Sequence, residues 1–316
     1  MPTVELSTGI STFYQVEGTG DVLLLIMGTG ADHSTWDAQV ECYSKHFKVI
    51  SYDNRGTGQS THPSDPSEYS MRILADDAAA LLDALEVESA HVSGLSLGSA
   101  TAQELAINHP DRVASLQLHN TWGRSDEWFV RMIDSMSFMV EHDDLDAYIR
   151  CALLWVSSPD FLANRPDDVS AFESNFIRDN PHPPSKDGLL GHFHADRTHD
   201  ALDRLSQIEA PTIVTTGEMD WQVPARYGWE VAQNIRGAQF HTFEGPSSSH
   251  IAFYEMVDEW NQFTLQWLDD QSSKGLGVAL QTVDFLVGRV AFRFNPVLLS
   301  PTYAFPSLDV FGNDFD

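Results

Sequence analysis

Lysine is almost missing from this chain. Its 316 residues carry Lys only at positions 45, 48, 186 and 274, and Lys plus Arg number 18 against 46 Asp plus Glu, a formal net charge of −28. So acidic a surface repels phosphate backbones and anionic bilayers, which excludes nucleic acid and anionic membranes as partners. It suits a saline medium, where screening relieves the self-repulsion, and equally an ordinary acidic enzyme. Cysteine is scarce as well. Cys42 and Cys151 make no disulfide framework, so a reduced compartment is expected. No uncharged apolar run reaches the roughly 18 residues of a membrane span. The start, Met1-Pro2-Thr3, lacks the basic-then-apolar profile of a secretory signal. Together these features predict a cytoplasmic protein whose partner is a small molecule.

Apolar residues make up 42% of the chain, ample for a core in one large domain or in a domain with an insertion. Residues 3–17 alternate apolar and polar around Thr8-Gly9, the pattern of a hairpin. Short apolar runs recur at 22–27, 47–52, 90–93, 113–119, 211–216 and 239–243. Near-continuous Val, Ile and Leu are what strands buried on both faces require. Between them, Leu74, Ala78, Leu81, Leu82 and Leu85 form one helical stripe within 71–87. Strands alternating with helices predict an α/β fold with a doubly wound, mostly parallel sheet. Ligands of such sheets bind beyond the carboxyl ends of the strands.

The alternation stops at 123–204. There Trp128, Met132, Met136, Phe138, Met139, Tyr148, Leu153, Leu154 and Trp155 recur at helical spacings, with Pro181-His182-Pro183-Pro184 as a breaker. We read a helical insertion covering the sheet edge, between core segments 1–122 and 205–270. Its Met and aromatic stripe fits plain core; its return into the strand before Asp220 favours a lid over a site. Residues 271–316, apolar over 276–294 and scattered in Pro, Phe and Leu beyond, read as a C-terminal extension, either packed at a subunit contact or without function. A homo-oligomer is expected on the first of these readings.

Gly94-Leu95-Ser96-Leu97-Gly98 lies between a strand-like and a helix-like run. The glycines of G-x-S-x-G permit a tight turn that exposes the serine hydroxyl, and a helix starting behind it aims free N–H groups at developing negative charge. A serine nucleophile needs a base, an acid to orient that base, and oxyanion donors. Among thirteen histidines, His250 follows the last expected strand and the flexible 245–249 loop. Asp220 follows a strong strand in the turn before Pro224, with Glu218 as second choice. The chain order Ser, Asp, His is that of one known triad arrangement. Thr29, in the loop after 22–27, and Leu97 are the expected oxyanion donors. That loop lacks the Lys of a phosphate loop and the third glycine of a dinucleotide fingerprint. Asp53-Asn54-Arg55-Gly56-Thr57-Gly58-Gln59-Ser60 follows a strand with no helical pattern after it, and reads as a structural turn. His192-Phe193-His194-Ala195-Asp196, with His199 nearby, echoes the H-x-H-x-D of dinuclear metal hydrolases. It is followed by Arg197 and lies in the helical insertion, so no metal site is expected.

Taken together, residues 20–268 resemble the α/β-hydrolase superfamily in its branch of small cap-bearing esterases and lactonases. The matching pieces are Met27-Gly28-Thr29 with Trp36, the D-x-R-G-x-G-x-S turn, the 94–98 elbow, 217–220 and Ser249-His250. Within that branch, 28–40, the elbow and Leu118-His119-Asn120-Thr121 look most similar to 3-oxoadipate enol-lactonases. The chain departs from the pattern with Met27-Gly28 in place of His-Gly, and with Ser99 in place of a second glycine after Gly98. The resemblance implies an α/β-hydrolase fold with a helical cap after the sixth strand, and cleavage of a carboxylic ester or lactone by Ser96, His250 and Asp220 without a cofactor. Haloalkane dehalogenases and epoxide hydrolases, which use an Asp nucleophile, are excluded by Ser96. Gly28, Trp122, Trp128 and Met132 are the expected pocket residues. Two other readings stay open: carbon–carbon bond hydrolysis of a dienoic ketoacid by the same triad, and a small-molecule receptor that keeps a hydrolase pocket.

Overall fold

In the computed structural model, residues 2–174, 176 and 179–276 are described. The expected N-terminal hairpin forms first. Strand β1 (Thr3–Glu5) pairs antiparallel with β2 (Ser11–Glu17), closed by Leu6 N–H to the Ile10 carbonyl at 2.8 Å. β3 (Val22–Ile26), β4 (Lys48–Tyr52), β5 (Ala90–Leu95), β6 (Val113–His119), β7 (Thr212–Gly217) and β8 (Gln239–Phe243) follow. The sheet order is β1-β2-β4-β3-β5-β6-β7-β8, with every pairing from β4 onward parallel.

Both faces of the strands are covered, which is why their sequences read as unbroken apolar runs. Leu24 and Ile26 of β3 pack toward α2 (Met71–Ala84), α3 (Leu97–Asn108) and α9 (Ala225–Asn234). Leu23 and Leu25, pointing the other way by the strand's period of two, meet α1 (Asp37–Tyr43) and α11 (Val257–Leu276) through Tyr43, Trp260 and Trp267. A short α10 (Ala252–Glu255) precedes α11. The α2 stripe ends sooner than the sequence suggested. Glu86 turns left-handed at φ 54° and Val87 N–H bonds back to Leu82 O at 2.9 Å, a helix cap without the glycine that would have announced it.

Between β6 and β7, among the described residues, come the α-helices α4 (Glu127–Glu141), α5 (Leu145–Val156), α6 (Pro159–Asn164), α7 (Pro166–Glu173) and α8 (Lys186–Thr198), then a 3-10 turn at Leu202–Gln207. Asp126, Asp144, Ser158 and Ser185 each cap a first turn with a side-chain oxygen. The insertion leaves and returns through a narrow neck, where Arg124 bridges Asp200 and Ala201 N–H meets Gly123 O at 2.8 Å. Its apolar interior, including Phe129, Ile133, Met136, Tyr148 and Phe193, continues into Leu97 and Ala100 at the start of α3. The boundary expected at 270 falls inside α11, and residues 277–316 of the expected extension lie outside the described residues.

Strand order locates the crevice. The chain runs from β3 outward to β4, then crosses back to β5 on the other side of β3. Loops leaving the carboxyl ends of β3 and β5 therefore part in opposite directions, and a ligand-sized gap opens between them. Those two loops begin at Met27 and Ser96. The D-x-R-G-x-G-x-S stretch after β4 is the expected turn, closed on itself: Asp53 accepts from Gln59 N–H at 2.8 Å, and Ser60 Oγ donates to Asp53 O at 2.6 Å. Within it, the buried Arg55 guanidinium forks onto Asp77 of α2 at 2.6 and 2.8 Å. Removing one member of such a pair strands a charge, at a cost of about 3–5 kcal/mol. Asp77→Ala is therefore expected to lower unfolding stability in urea by that amount, and a loss of under about 1 kcal/mol would contradict the assignment.

Candidate active site

At Ser96 the backbone takes φ 56° and ψ −124°, a conformation sparsely populated by non-glycine residues and costing about 1–3 kcal/mol. Neighbouring bonds hold it there. Ser96 N–H donates to His119 O at 3.0 Å, and Ser96 O accepts from Ser99 N–H at 2.8 Å and from the Ser99 hydroxyl at 2.6 Å. Ser99, where similar hydrolases carry glycine, thus adds a bond at the strained residue. The flanking glycines permit close approach. A Cβ at Gly94 would collide with the Gly98 carbonyl, and one at Gly98 with the Ile26 carbonyl. The turn is thereby pressed against β3.

Leu97 is the first residue of α3, so its N–H has no acceptor within the helix. Across the crevice, a Cβ on Gly28 would sit 3.1 Å from that of Ser96. Residues 28–31 form a turn with Ala31 N–H to Gly28 O at 3.4 Å and φ 72° at Gly30, the pattern of a type II turn. The expected donor Thr29 thus follows the residue that faces Ser96 across the crevice and lines the same cavity as Ser96, while Leu97 follows Ser96 directly.

His250 follows β8 and is buried. Its Nδ1 lies 2.9 Å from Asp220 Oδ2, while Asp220 Oδ1 accepts the N–H groups of Gln222 and Val223 at 3.0 and 2.8 Å. Glu218, the alternative acid, is turned away and accepts from Gly245 N–H at 3.2 Å. The His250 carbonyl takes Asn120 Nδ2 at 2.6 Å. Next to it, the buried Glu255 accepts Ser249 Oγ at 2.8 Å and Ser158 N–H at 2.9 Å, joining the histidine loop to the start of α6. Burial raises the Glu255 carboxyl, against the pull of these hydrogen bonds.

Ser96 and His250 line one cavity of about 550 Å³, together with the 27–32 loop. Its roof is apolar: Ile133, Met136, Ile149, Leu153, Val156 and Phe193, all from the insertion. Of the expected pocket residues, Gly28 is there and three are not. Trp122 is core, its ring tilted by 31° against Phe129 at 4.6 Å between centroids, with its indole N–H on Ser125 Oγ. Trp128 lies on the outside of α4, 39% exposed, against Trp155 and Arg226. Met132 is buried in the interior of the insertion, whereas Ile133 and Met136 of the same helix reach the cavity. One residue is a 100° step around a helix, and composition does not say which face looks down.

The H-x-H-x-D stretch has a role that residue spacing did not reveal. His192 Nδ1 accepts Gly30 N–H at 3.0 Å, so its proton sits on Nε2, which donates to Arg55 O at 2.8 Å. Burial lowers this imidazole to about 4 and keeps it neutral. One turn further along α8, Asp196 Oδ2 accepts the Thr29 hydroxyl at 2.8 Å. Burial pushes the Asp196 carboxyl up to about 7, against the opposing pull of Thr29 and Arg197. Asp32, His33 and Asp53 also converge, with their nearest polar atoms within 4.8 Å of one another. Their bonds serve the fold: Asp32 caps Ser34 and accepts Asn180, and His33 Nδ1 meets Asp53 at 2.6 Å. Burial pulls His33 down, but the Asp53 hydrogen bond and charge outweigh it and raise its pKa.

Asp196 gives stability a sign with pH. Its folded value of about 7 exceeds the ordinary 3.8, so the contribution of the neutral form is full below about 4 and lost as pH rises to 7. Asp196→Asn removes this titration. In thermal unfolding, the variant's midpoint relative to wild type should climb between pH 4 and 7 and then level off; a flat difference would contradict the raised value.

Comparison with known proteins agrees with this architecture. Residues 21–255 match the alpha/beta hydrolase fold family. RutD of Azorhizobium caulinodans, a candidate carbamate hydrolase, is 30% identical over 227 residues, 72% of this chain and 84% of its own. The enol-lactonase from Burkholderia xenovorans LB400 shares the fold with a TM-score of 0.76 and 27% identity, covering 85% of this chain and 100% of that one. A hydrolase from Pseudomonas aeruginosa PA01 has a TM-score of 0.76 at 30% identity over 84% of this chain and 97% of its own. The resemblance read from the sequence motifs therefore holds: the chain belongs to the α/β-hydrolase fold family and is a hydrolase.

Proposed function

We propose that this protein is a serine hydrolase that cleaves a carboxylic ester or lactone through an acyl-enzyme. The observation that carries the reading is the pairing of a strained Ser96 with His250 in one cavity, His250 being bonded through Nδ1 to Asp220. With Nδ1 committed, Nε2 is the ring nitrogen left to accept the serine proton. Ser96 Oγ attacks the carbonyl carbon, and the Thr29 and Leu97 N–H groups hold the oxyanion, each worth roughly 3 kcal/mol. The proton passes from His250 to the leaving oxygen. Water, deprotonated by His250, then attacks the acyl-enzyme and releases the acid. Acyl transfer of this kind needs no cofactor.

The insertion acts as a cap whose apolar roof receives the acyl chain. Each methylene buried there is worth about 0.8 kcal/mol, or roughly fourfold in kcat/KM while it still finds apolar surface. The enol-lactonase neighbour supports an acyl–oxygen bond as the target. Hydrolysis of p-nitrophenyl esters tests both statements. Ser96→Ala should abolish turnover without unfolding the chain, and retained activity would overturn the assignment. Along a series from acetate to octanoate, kcat/KM should rise and then level off, and Met136→Trp should bring the plateau to a shorter chain. A lactone and a carbamate in the same panel identify the preferred bond.

A further inference from the structure

We propose that His192 and Asp196 are positioning residues for the oxyanion hole, fixing the 28–31 turn so that the Thr29 N–H stays directed at the adduct on Ser96. This rests on the ester-cleaving reading above.

Three points pin the loop. Asn54 Nδ2 donates to Met27 O at 2.9 Å, Asp196 holds the Thr29 hydroxyl at 2.8 Å, and His192 takes Gly30 N–H at 3.0 Å. The Thr29–Gly30 peptide is the unit that rotates when a turn changes between types I and II. With Nδ1 presenting a lone pair, only the orientation that points N–H at His192 is satisfied. Rotation would bring the Thr29 carbonyl there instead, acceptor against acceptor. The Thr29 side chain is anchored on one side of its own amide, the Met27 carbonyl on the other. Among the described residues, the Thr29 N–H between them has no hydrogen-bond partner.

The helix that supplies the two ties is itself anchored. His192 Nε2 donates to Arg55 O, His62 Nδ1 meets Ser185 Oγ at 2.7 Å, and Gly188 approaches the Gly56 carbonyl so closely that a Cβ would collide with it. Arg55 is in turn forked onto Asp77. A continuous hydrogen-bonded path thus runs from α2 through the D-x-R-G turn and α8 to Gly30. A helix that only roofed a cavity would need no such groups. Asp196 is fully buried with Oδ1 unpartnered, a cost in stability that the Thr29 bond explains only if loop geometry matters.

The test uses the full chain and p-nitrophenyl butyrate, with thermal unfolding recorded for every variant. Asp196→Leu and His192→Phe should each lower kcat by about 10–100-fold, the cost of a displaced donor, with KM within about twofold. Thr29→Val deletes the same bond from the other side and should match Asp196→Leu. The double variant should be no worse than either single one, since both remove one interaction. Asp196→Asn, which keeps an oxygen for Thr29, should recover at least about tenfold of the Leu loss. If Asp196→Leu fails to fold, Thr29→Val carries the expectation alone. Wild-type kcat in Thr29→Val or His192→Phe, losses that multiply in the double variant, or a loss in KM alone would overturn the proposal. Inactive Ser96→Ala beside fully active Thr29→Val and His192→Phe overturns the positioning role only. An active Ser96→Ala overturns the ester-cleaving reading and this one with it.

Discussion

Everything at the site depends on how closely α3 approaches β3. The elbow can hold Ser96 at a strained φ because Gly94 and Gly98 let the turn press against the β3 carbonyls, and because Ser96 N–H and O are both bonded. That contact sets the Ser96 hydroxyl, the first N–H groups of α3 and the 28–31 turn at one place, between the two strands whose loops diverge. A side chain at Gly98 would push the helix off the sheet, and the serine would relax into an ordinary conformation with the donors no longer around it.

The second element is the insertion, which does more than cover. It touches the machinery at two ends. α8 grips the 28–31 turn through His192 and Asp196, while the α5–α6 junction reaches the histidine loop through Ser158, Glu255 and the Ile251 N–H on Val156 O. Between those grips lies the apolar roof of the cavity. One set of helices thus both roofs the cavity and holds the 28–31 turn and the His250 loop in place. At Met27-Gly28 the loop is held by Asn54 on one side and by α8 on the other.

Much of this was legible in the residues. Near-continuous apolar runs alternating with helical stripes named the parallel sheet, and the elbow, the strand-end Asp220 and the loop before His250 announced themselves by place. Other parts were not. Trp122, Trp128 and Met132 are the right residue types for a pocket and none of them lines it: Trp122, ahead of α4, is packed into the core against Phe129, and for Trp128 and Met132 a single-residue step decides which side of α4 looks down. The Glu86 cap was hidden since a left-handed conformation was taken by glutamate. The His192–Asp196 pair reads as a metal echo, set aside because Arg197 follows it within the helical insertion; its partners, Thr29 and Gly30, lie more than 160 residues away in the chain.

Sequence by itself determined what recurs locally: strand periodicity, the turn that glycine allows, helix starts, and the order of serine, acid and histidine. Those follow from backbone sterics and hydrogen bonding within a few residues. Tertiary structure alone decided which residues roof the cavity, how the 28–31 turn is held and which groups tie the insertion to the sheet. Each of those is a contact between distant segments, set by how helices rotate and settle on a sheet, and no local pattern encodes that rotation.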